Sequence, residues 1–318
     1  MSIVSSDIDK AIEILQNQDV VAIPTETVYG LAGNIFSEKA IRKIYSVKQR
    51  PLFNPLIVHL HSPDQLIEIT THIPPVAKQL AASFWPGPLT LILPKRPEVP
   101  DLITAAKGTV AVRIPNHPVT LDLLSKLPFP LAAPSANPFN RISPTSSAHV
   151  EAYFGDSISM ILEGGNCKAG IESTIVGFEG DQPVIYRLGS ISKEDIEKVV
   201  GDIEVRNKKE AAPDAPGMLA KHYAPRTKTL LLNSIDDFKE EQNQRVGLLG
   251  FTGDIPEGNF AHVEILSPGG NLTEAASNLY KALHKLDGMD LDLILAIRLP
   301  DSELGRSVND RLERAASS

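Results

Sequence analysis

Apolar residues fall at helical spacing in some stretches of the chain and in short, strand-like runs in others. Ile8, Ala11, Ile12 and Leu15 share one face of a first helix, with Ser6 placed to cap it. Val20–Ile23 is a continuous apolar run stopped by Pro24, which predicts a buried strand. Ser37 can cap a second helix carrying Ala40, Ile41 and Ile44. A strand follows at Leu56–Leu60, then a helix at Pro75–Phe84 closed by Pro86-Gly87-Pro88. Strands are predicted at 89–93, 110–114, 131–133, 159–162, 174–178 and 184–187. Helices are predicted at 117–125, at 145–153 and after Ser192 as far as Val200.

These elements alternate without a strict strand–helix–strand order. The expectation for residues 1–203 is therefore an α/β domain with a twisted mixed sheet flanked by helices. Residues 204–227 break the rhythm with Lys208, Lys209, Pro213, Pro216, Gly217 and Pro225, and read as a linker. Residues 228–318 resume it. Strands are expected at 229–232, 246–250, 263–266 and 291–299, and helices at 272–286 and 308–315, which make a smaller C-terminal Rossmann-like α/β domain.

Composition narrows the class. The chain has 318 residues, enough to bury a core without staples. Its single cysteine, Cys167, excludes an internal disulfide and a cysteine-based zinc site. With no secretory pattern at the start and no apolar run long enough to span a membrane, a cytoplasmic setting is expected. Net charge is −8, which argues against binding nucleic acid by bulk electrostatics; RNA binding is expected to be weak or absent. The linker alone is net basic, at +2, between flanks of −4 and −6. That places it over something anionic or leaves it simply solvated.

Several catalytic devices are missing. There is no GxxxxGK[ST], no GxGxxG after a strand, no HExxH and no GxSxG. What remains is a set of polar clusters at strand ends. Thr25 to Leu31 follows the first apolar strand and can orient a small polar ligand or simply turn. Lys48 and Arg50, with Asn54, lie between a helix end and a strand, where cations can clamp phosphates or answer the helix dipole. His59 lies inside an apolar strand run, where a histidine is commonly core. Arg113 ends a buried strand and must meet an anion, either a protein carboxylate or a substrate carboxylate. Small and hydroxyl residues at 132–138 and 143–145 permit close backbone approach to a ligand or form turns and caps. GIEST at 170–174 and Arg187-Leu188-Gly189 complete the set.

Taken in order, these segments resemble the YrdC-like family, over nearly the whole chain. The matching stretches are PTETVYGLAGN (24–34), KQRPLFNPLIVHL (48–60), FWPGPLTLIL (84–93), VAVRIPNHP (110–118), PLAAPSANPFNRISPT (130–145), GIESTIV (170–176) and RLGSIS (187–192). APGMLAKHYAP (215–225) and GRSVNDRLERAA (305–316) resemble the long, two-domain form that makes threonylcarbamoyl-AMP. The resemblance implies a nucleotidyltransferase that joins L-threonine, bicarbonate and ATP with release of pyrophosphate. Its product feeds a downstream transferase that modifies the adenosine next to the anticodon of tRNAs. It implies a threonine site at Thr25, His59, Arg113, Ala133 and Ser173. It implies an ATP site at Arg50, Asn54, Thr109, Ser135, Ser143, Arg187 and Tyr223, with Lys48 and Arg50 as the catalytic cations. Mg2+ is expected on the ATP phosphates rather than on protein ligands, and residues 204–227 are expected to act as a lid. A carbamoyl-transfer protein of hydrogenase maturation shares the domain, but its cysteine zinc motifs are absent here.

Overall fold

The computed structural model describes residues 2–206, 222–238, 244–254 and 258–317. Among these, eleven strands form one mixed sheet. They are β1 (Ile3–Ser5), β2 (Val21–Ile23), β3 (Gly30–Asn34), β4 (Ile57–His59), β5 (Leu89–Pro94), β6 (Thr109–Arg113), β7 (Leu131–Ala132), β8 (Met160–Leu162), β9 (Thr174–Glu179), β10 (Gln182–Arg187) and β11 (Glu204–Val205), in the order β1-β8-β2-β3-β7-β4-β6-β5-β9-β10-β11. The helices of this part are α1 (Ile8–Gln16), α2 (Glu38–Lys48), α3 (Leu66–Ile69), α4 (Pro75–Phe84), α5 (Asp101–Thr104), α6 (Pro118–Lys126), α7 (Ser147–Phe154) and α8 (Lys193–Val200). A separate all-parallel sheet holds β12 (Lys228–Leu232), β13 (Val246–Gly250), β14 (His262–Ile265) and β15 (Leu293–Ile297), ordered β12-β15-β13-β14. It is accompanied by α9 (Leu272–Asp287) and α10 (Glu303–Ala316).

Local chemistry explains most boundaries. Ser37 caps α2 through the Ala40 amide, and Ser192 caps α8 through Asp195. Two expected caps move by one residue. Asp7 rather than Ser6 accepts the Lys10 amide, and Ser146 rather than Thr145 accepts that of His149. The predicted linker begins with structure, because Glu204 and Val205 form β11 on the edge of β10. The terminal helix starts at Glu303, before the first apolar residue of its buried face.

The strand period of two splits the middle of the large sheet into two faces. Val58, Val110, Val112, Leu91 and Val176 join the main core. Their neighbours Ile57, Ala111 and Ile175 form a small apolar patch on the opposite face. His59 lies on that second face with Ile57, and Arg113 with Ala111. The small domain's core runs on into the large one. Val28, Ile142 and Ile171 share a cluster with Leu279, Tyr280 and Leu283.

Candidate active site

A cleft with about 520 Å³ of empty space, counting its open mouth, lies on the Ile57–Ala111 face of the large sheet. The β4–β6 register sets His59 beside Arg113. Loops after β2 and β7, the start of β9 and the end of β10 bring Thr27, Ala133, Ser135, Ser173 and Arg187 to its walls. Arg50 enters from the loop after α2, and His222 and Tyr223 from beyond residue 221.

Arg113 finds a protein carboxylate. Its Nη2 lies 2.6 Å from Glu26 Oε1, and its Nη1 donates to Thr27 Oγ1 at 2.9 Å. Nε has no partner among the described residues, so one edge of the guanidinium remains for a second anion. His59 Nδ1 lies 3.2 Å from the Ile57 carbonyl. A carbonyl only accepts, so Nδ1 carries the proton and Nε2 is left as an acceptor. Burial, and then Arg113, bring the His59 pKa down to about 3. The ring is neutral near pH 7 and accepts hydrogen bonds rather than protons.

At the other end, Arg50 donates from Nη2 to Asn54 Oδ1 (2.6 Å) and the Pro55 carbonyl (2.8 Å). Arg187 donates from Nη2 to the Ser173 carbonyl (2.8 Å) and hydroxyl (3.1 Å). Burial lowers both arginines, Arg50 to about 10; to a lesser extent Arg187 also lowers Arg50, and Arg311 lowers Arg187. Arg50 makes no salt bridge among the described residues, unlike Arg113. Two buried guanidiniums on the wall of one cleft suit a polyanion.

The structure gathers Arg50, His59, Arg113, Ala133, Ser135, Ser173, Arg187 and Tyr223 on the wall. It sets the other expected residues behind it or further along. The Thr25 hydroxyl donates to the Val28 carbonyl at 2.6 Å and accepts the amides of Thr27 and Val28, so Thr27 takes the wall position. Lys48 is 1% exposed and donates to the carbonyls of Ser135 (2.5 Å) and Asn137 (2.6 Å), holding the Ser135 loop from below. Asn54 supports Arg50, and Ser143 supports Glu172 through a 2.7 Å hydrogen bond. Thr109 is four residues from Arg113 on the same face of β6, about 13 Å along the strand. It lines a neighbouring hollow with Ile92 and Tyr186, beyond the apolar patch.

The end of the linker does reach the cleft, though Lys221 and residues 214–220 lie outside the described residues. Tyr223 is 1% exposed with φ of 62°, and its ring lies against Tyr280 at 5.6 Å. A non-glycine residue in that region is strained. Hydrogen bonds from the His222 amide to Arg314 and from the Ala224 amide to Asn140 hold it there. His222 brings no positive charge to the cleft near pH 7. Burial, then Arg50, Lys48 and Arg187, drive its pKa well below the ordinary value. Glu172, within GIEST, also lines the cleft, and nothing in its local sequence assigns it a role. Its partners Tyr280 and Arg311 come from the small domain.

Buried neutral histidines make the fold acid-sensitive. Besides His59, burial brings His149 to about 4 and His284 to about 3, with Lys281 and His149 as the respective second causes. The unfolded chain takes up these protons near pH 6.5 and the native one does not, so the cost is absent above about 6.5 and grows as pH falls towards about 3. The melting temperature is expected to fall across that window, and less steeply in His284→Gln. A melting temperature flat from pH 7 to 4 would contradict it.

The chain thus joins a mixed α/β domain with a buried cationic cleft to a parallel α/β domain whose residues pack behind that cleft. Residues 13–189 match the family described as telomere recombination proteins (Sua5, YciO and YrdC), and residues 191–317 the threonylcarbamoyl-AMP synthase C-terminal domain. The chain is 40% identical over 313 residues to the threonylcarbamoyl-AMP synthase of Pyrococcus abyssi, covering 93% of this chain and 90% of that one. It is 40% identical over 325 residues to that of Bacillus subtilis, covering 97% and 92%. The crystal structure of P. abyssi Sua5 complexed with L-threonine superposes with a TM-score of 0.92 at 37% identity, covering 99% of this chain and 98% of the other. The chain belongs to the threonylcarbamoyl-AMP synthase family, in its long, two-domain form.

Proposed function

We propose that the protein makes threonylcarbamoyl-AMP and pyrophosphate from L-threonine, bicarbonate and ATP, for the threonylcarbamoyladenosine modification of tRNA next to the anticodon. The observation that carries this is one cleft with two different ends. At one end Arg113, with an unpartnered Nε, sits beside a neutral His59. At the other, the buried guanidiniums of Arg50 and Arg187 both line the cavity. The first end suits an amino acid. Arg113 takes the carboxylate, His59 Nε2 accepts from an ammonium or hydroxyl, and Ser173 and the Ala133 backbone close the site. The second suits a triphosphate, with Ser135 and Tyr223 beside the arginines. The apolar patch of Ile57, Ala111 and Ile175 then lies under the purine, which points towards Thr109.

The chemistry needs little from the protein beyond placement. The deprotonated threonine amine adds to carbon dioxide with release of a proton to solvent, or to bicarbonate with loss of water, to give a carbamate. A carbamate oxygen attacks the α-phosphorus, and pyrophosphate leaves. Holding three reactants together can supply about 7–11 kcal/mol of the barrier, and a well-placed donor about 2.7–4 kcal/mol. Mg2+ fits as a passenger of the phosphates. Glu26 and Glu172 are held by Arg113 and by Tyr280 and Arg311, and no group of three metal-ligating side chains occurs among the described residues. Both substrates and product are water-soluble, and no described helix is long and apolar enough to cross a membrane, in keeping with work in the cytoplasm. A downstream transferase must consume the product, since a carbamoyl-phosphate anhydride hydrolyses in water.

Labelled bicarbonate and labelled threonine should both appear in one adenylate product by mass spectrometry; a product carrying only one label would sink the proposal. The linker's part as a lid is tested at Tyr223, whose hydroxyl is buried without a partner among the described residues. Tyr223→Phe is expected to keep or raise the melting temperature and to weaken ATP binding about fivefold. A lower melting temperature with unchanged ATP affinity would assign Tyr223 to packing alone.

A further inference from the structure

A carboxylate on the wall of a triphosphate site works against its ligand unless it is neutralised, and Glu172 is such a group, 7% exposed and lining the cleft. Its neutralisation comes largely from the other domain. The Tyr280 hydroxyl on α9 lies 2.8 and 3.1 Å from its two oxygens, and Arg311 Nε on α10 lies 3.3 Å from Oε2. Arg311 is wholly buried, and its Nη1 donates to Asp310 at 3.0 Å. Asp310 also accepts from Arg314 Nε at 3.0 and 3.1 Å, so it does not depend on Arg311 for a counter-ion. The Arg311 guanidinium stands 5.5 Å from the centre of the Tyr223 ring, and its Nη2 has no partner among the described residues. One arginine of the small domain thus touches both Glu172 and Tyr223, which line the cleft.

We propose that Arg311 and Tyr280 are positioning residues for nucleotide binding. They neutralise Glu172 and brace Tyr223, so the small domain is a working part of the ATP site. The inference rests on the synthase reading for the identity of the nucleotide. Without Arg311, Glu172 keeps its negative charge beside the arriving phosphates, and Tyr223 loses the cation over its ring. The competing role is mortar between domains. Under that role Arg311 contributes to stability, while the charge of Glu172 has no bearing on ATP.

The two roles separate by charge rescue, read by calorimetric titration of the full-length protein with ATP and, separately, with L-threonine. Arg311→Gln is expected to weaken ATP binding by about tenfold or more, with threonine affinity within about twofold of wild type. Adding Glu172→Gln to Arg311→Gln should return most of the lost ATP affinity, because the uncompensated charge is gone. Tyr280→Phe keeps the ring in its core and should weaken ATP about two- to fivefold, again relieved by Glu172→Gln. That pair carries the test if Arg311→Gln does not fold. Wild-type ATP affinity in the folded single variants, or a loss that Glu172→Gln leaves in place, overturns the proposal. ATP binding with the rescue pattern but no threonine-dependent pyrophosphate release would overturn the synthase reading and leave this inference supported. No ATP binding to the wild type would overturn both.

Discussion

Arg113→Ala is expected to raise the threonine concentration for half-maximal turnover about a hundredfold, with the ATP requirement nearly unchanged. The magnitude is that of losing a charge-assisted contact of about 3 kcal/mol. The same substitution should cost about 3–5 kcal/mol of stability, because Glu26 stays behind, buried and unpaired. The two effects are separable. Arg113→Ala with Glu26→Gln should regain most of the stability and none of the threonine affinity. Arg113→Lys should also be impaired, since an ammonium cannot bond Glu26, Thr27 and a substrate carboxylate from three directions at once. Titration calorimetry and denaturant unfolding check both halves. A folded Arg113→Ala protein with wild-type threonine affinity would remove Arg113 from the amino-acid site.

Arg50→Ala and Arg187→Ala are each expected to weaken ATP binding about ten- to a hundredfold, one charge-assisted phosphate contact apiece. Their side effects differ, and the difference follows from what each arginine holds. Arg50 bonds Asn54 and Pro55, so its removal loosens the loop before β4 and leaves threonine binding largely alone. Arg187 bonds the carbonyl and hydroxyl of Ser173, which sits at the threonine end. Arg187→Ala should therefore raise both requirements. ATP titrations at wild-type affinity in both variants would place the phosphate clamp elsewhere. Equal effects on threonine would contradict the assignment of Ser173.

The longer helices and most strands were legible because their signals are local, whereas the four-residue α3 and α5 are too short to show a period. Pro75 at the first turn and the proline cluster after Phe84 bracket α4 at its predicted ends. β3 was not legible. Its sequence, GLAGN, lacks β-branched residues, and it reads as part of a turn. Gly33 lets the strand lie close to α2, where a Cβ would come within 3.1 Å of the Ile44 side chain and 3.3 Å of that of Ala40. β1 was missed for another reason. Its three residues pair with β8, more than 150 positions away, and nothing near Ile3 announces that partner.

The candidate site divides the same way. Thr109, Ala111 and Arg113 alternate with Val110 and Val112, so the strand pattern already separates a cleft face from a core face. The family resemblance supplied roles that the residues alone left open, as for His59. What stayed hidden were partners brought together by tertiary folding. Glu26 meets Arg113 across 87 positions of sequence, and Glu172 meets Tyr280 and Arg311 across 108 and 139. Such contacts have no periodicity to betray them. The shift from Thr25 to Thr27 on the wall was hidden because a hydroxyl in a turn can serve either its own backbone or a ligand.

The central claim is that one cleft holds threonine, bicarbonate and ATP for a single adenylate-forming reaction. Pyrophosphate release by the purified full-length protein tests it most directly, measured with ATP and Mg2+ and with threonine and bicarbonate each present or withheld. The account predicts release only when both are supplied, in equal amount with threonylcarbamoyl-AMP. Release from ATP alone, or with threonine after rigorous removal of carbon dioxide and bicarbonate, would contradict it.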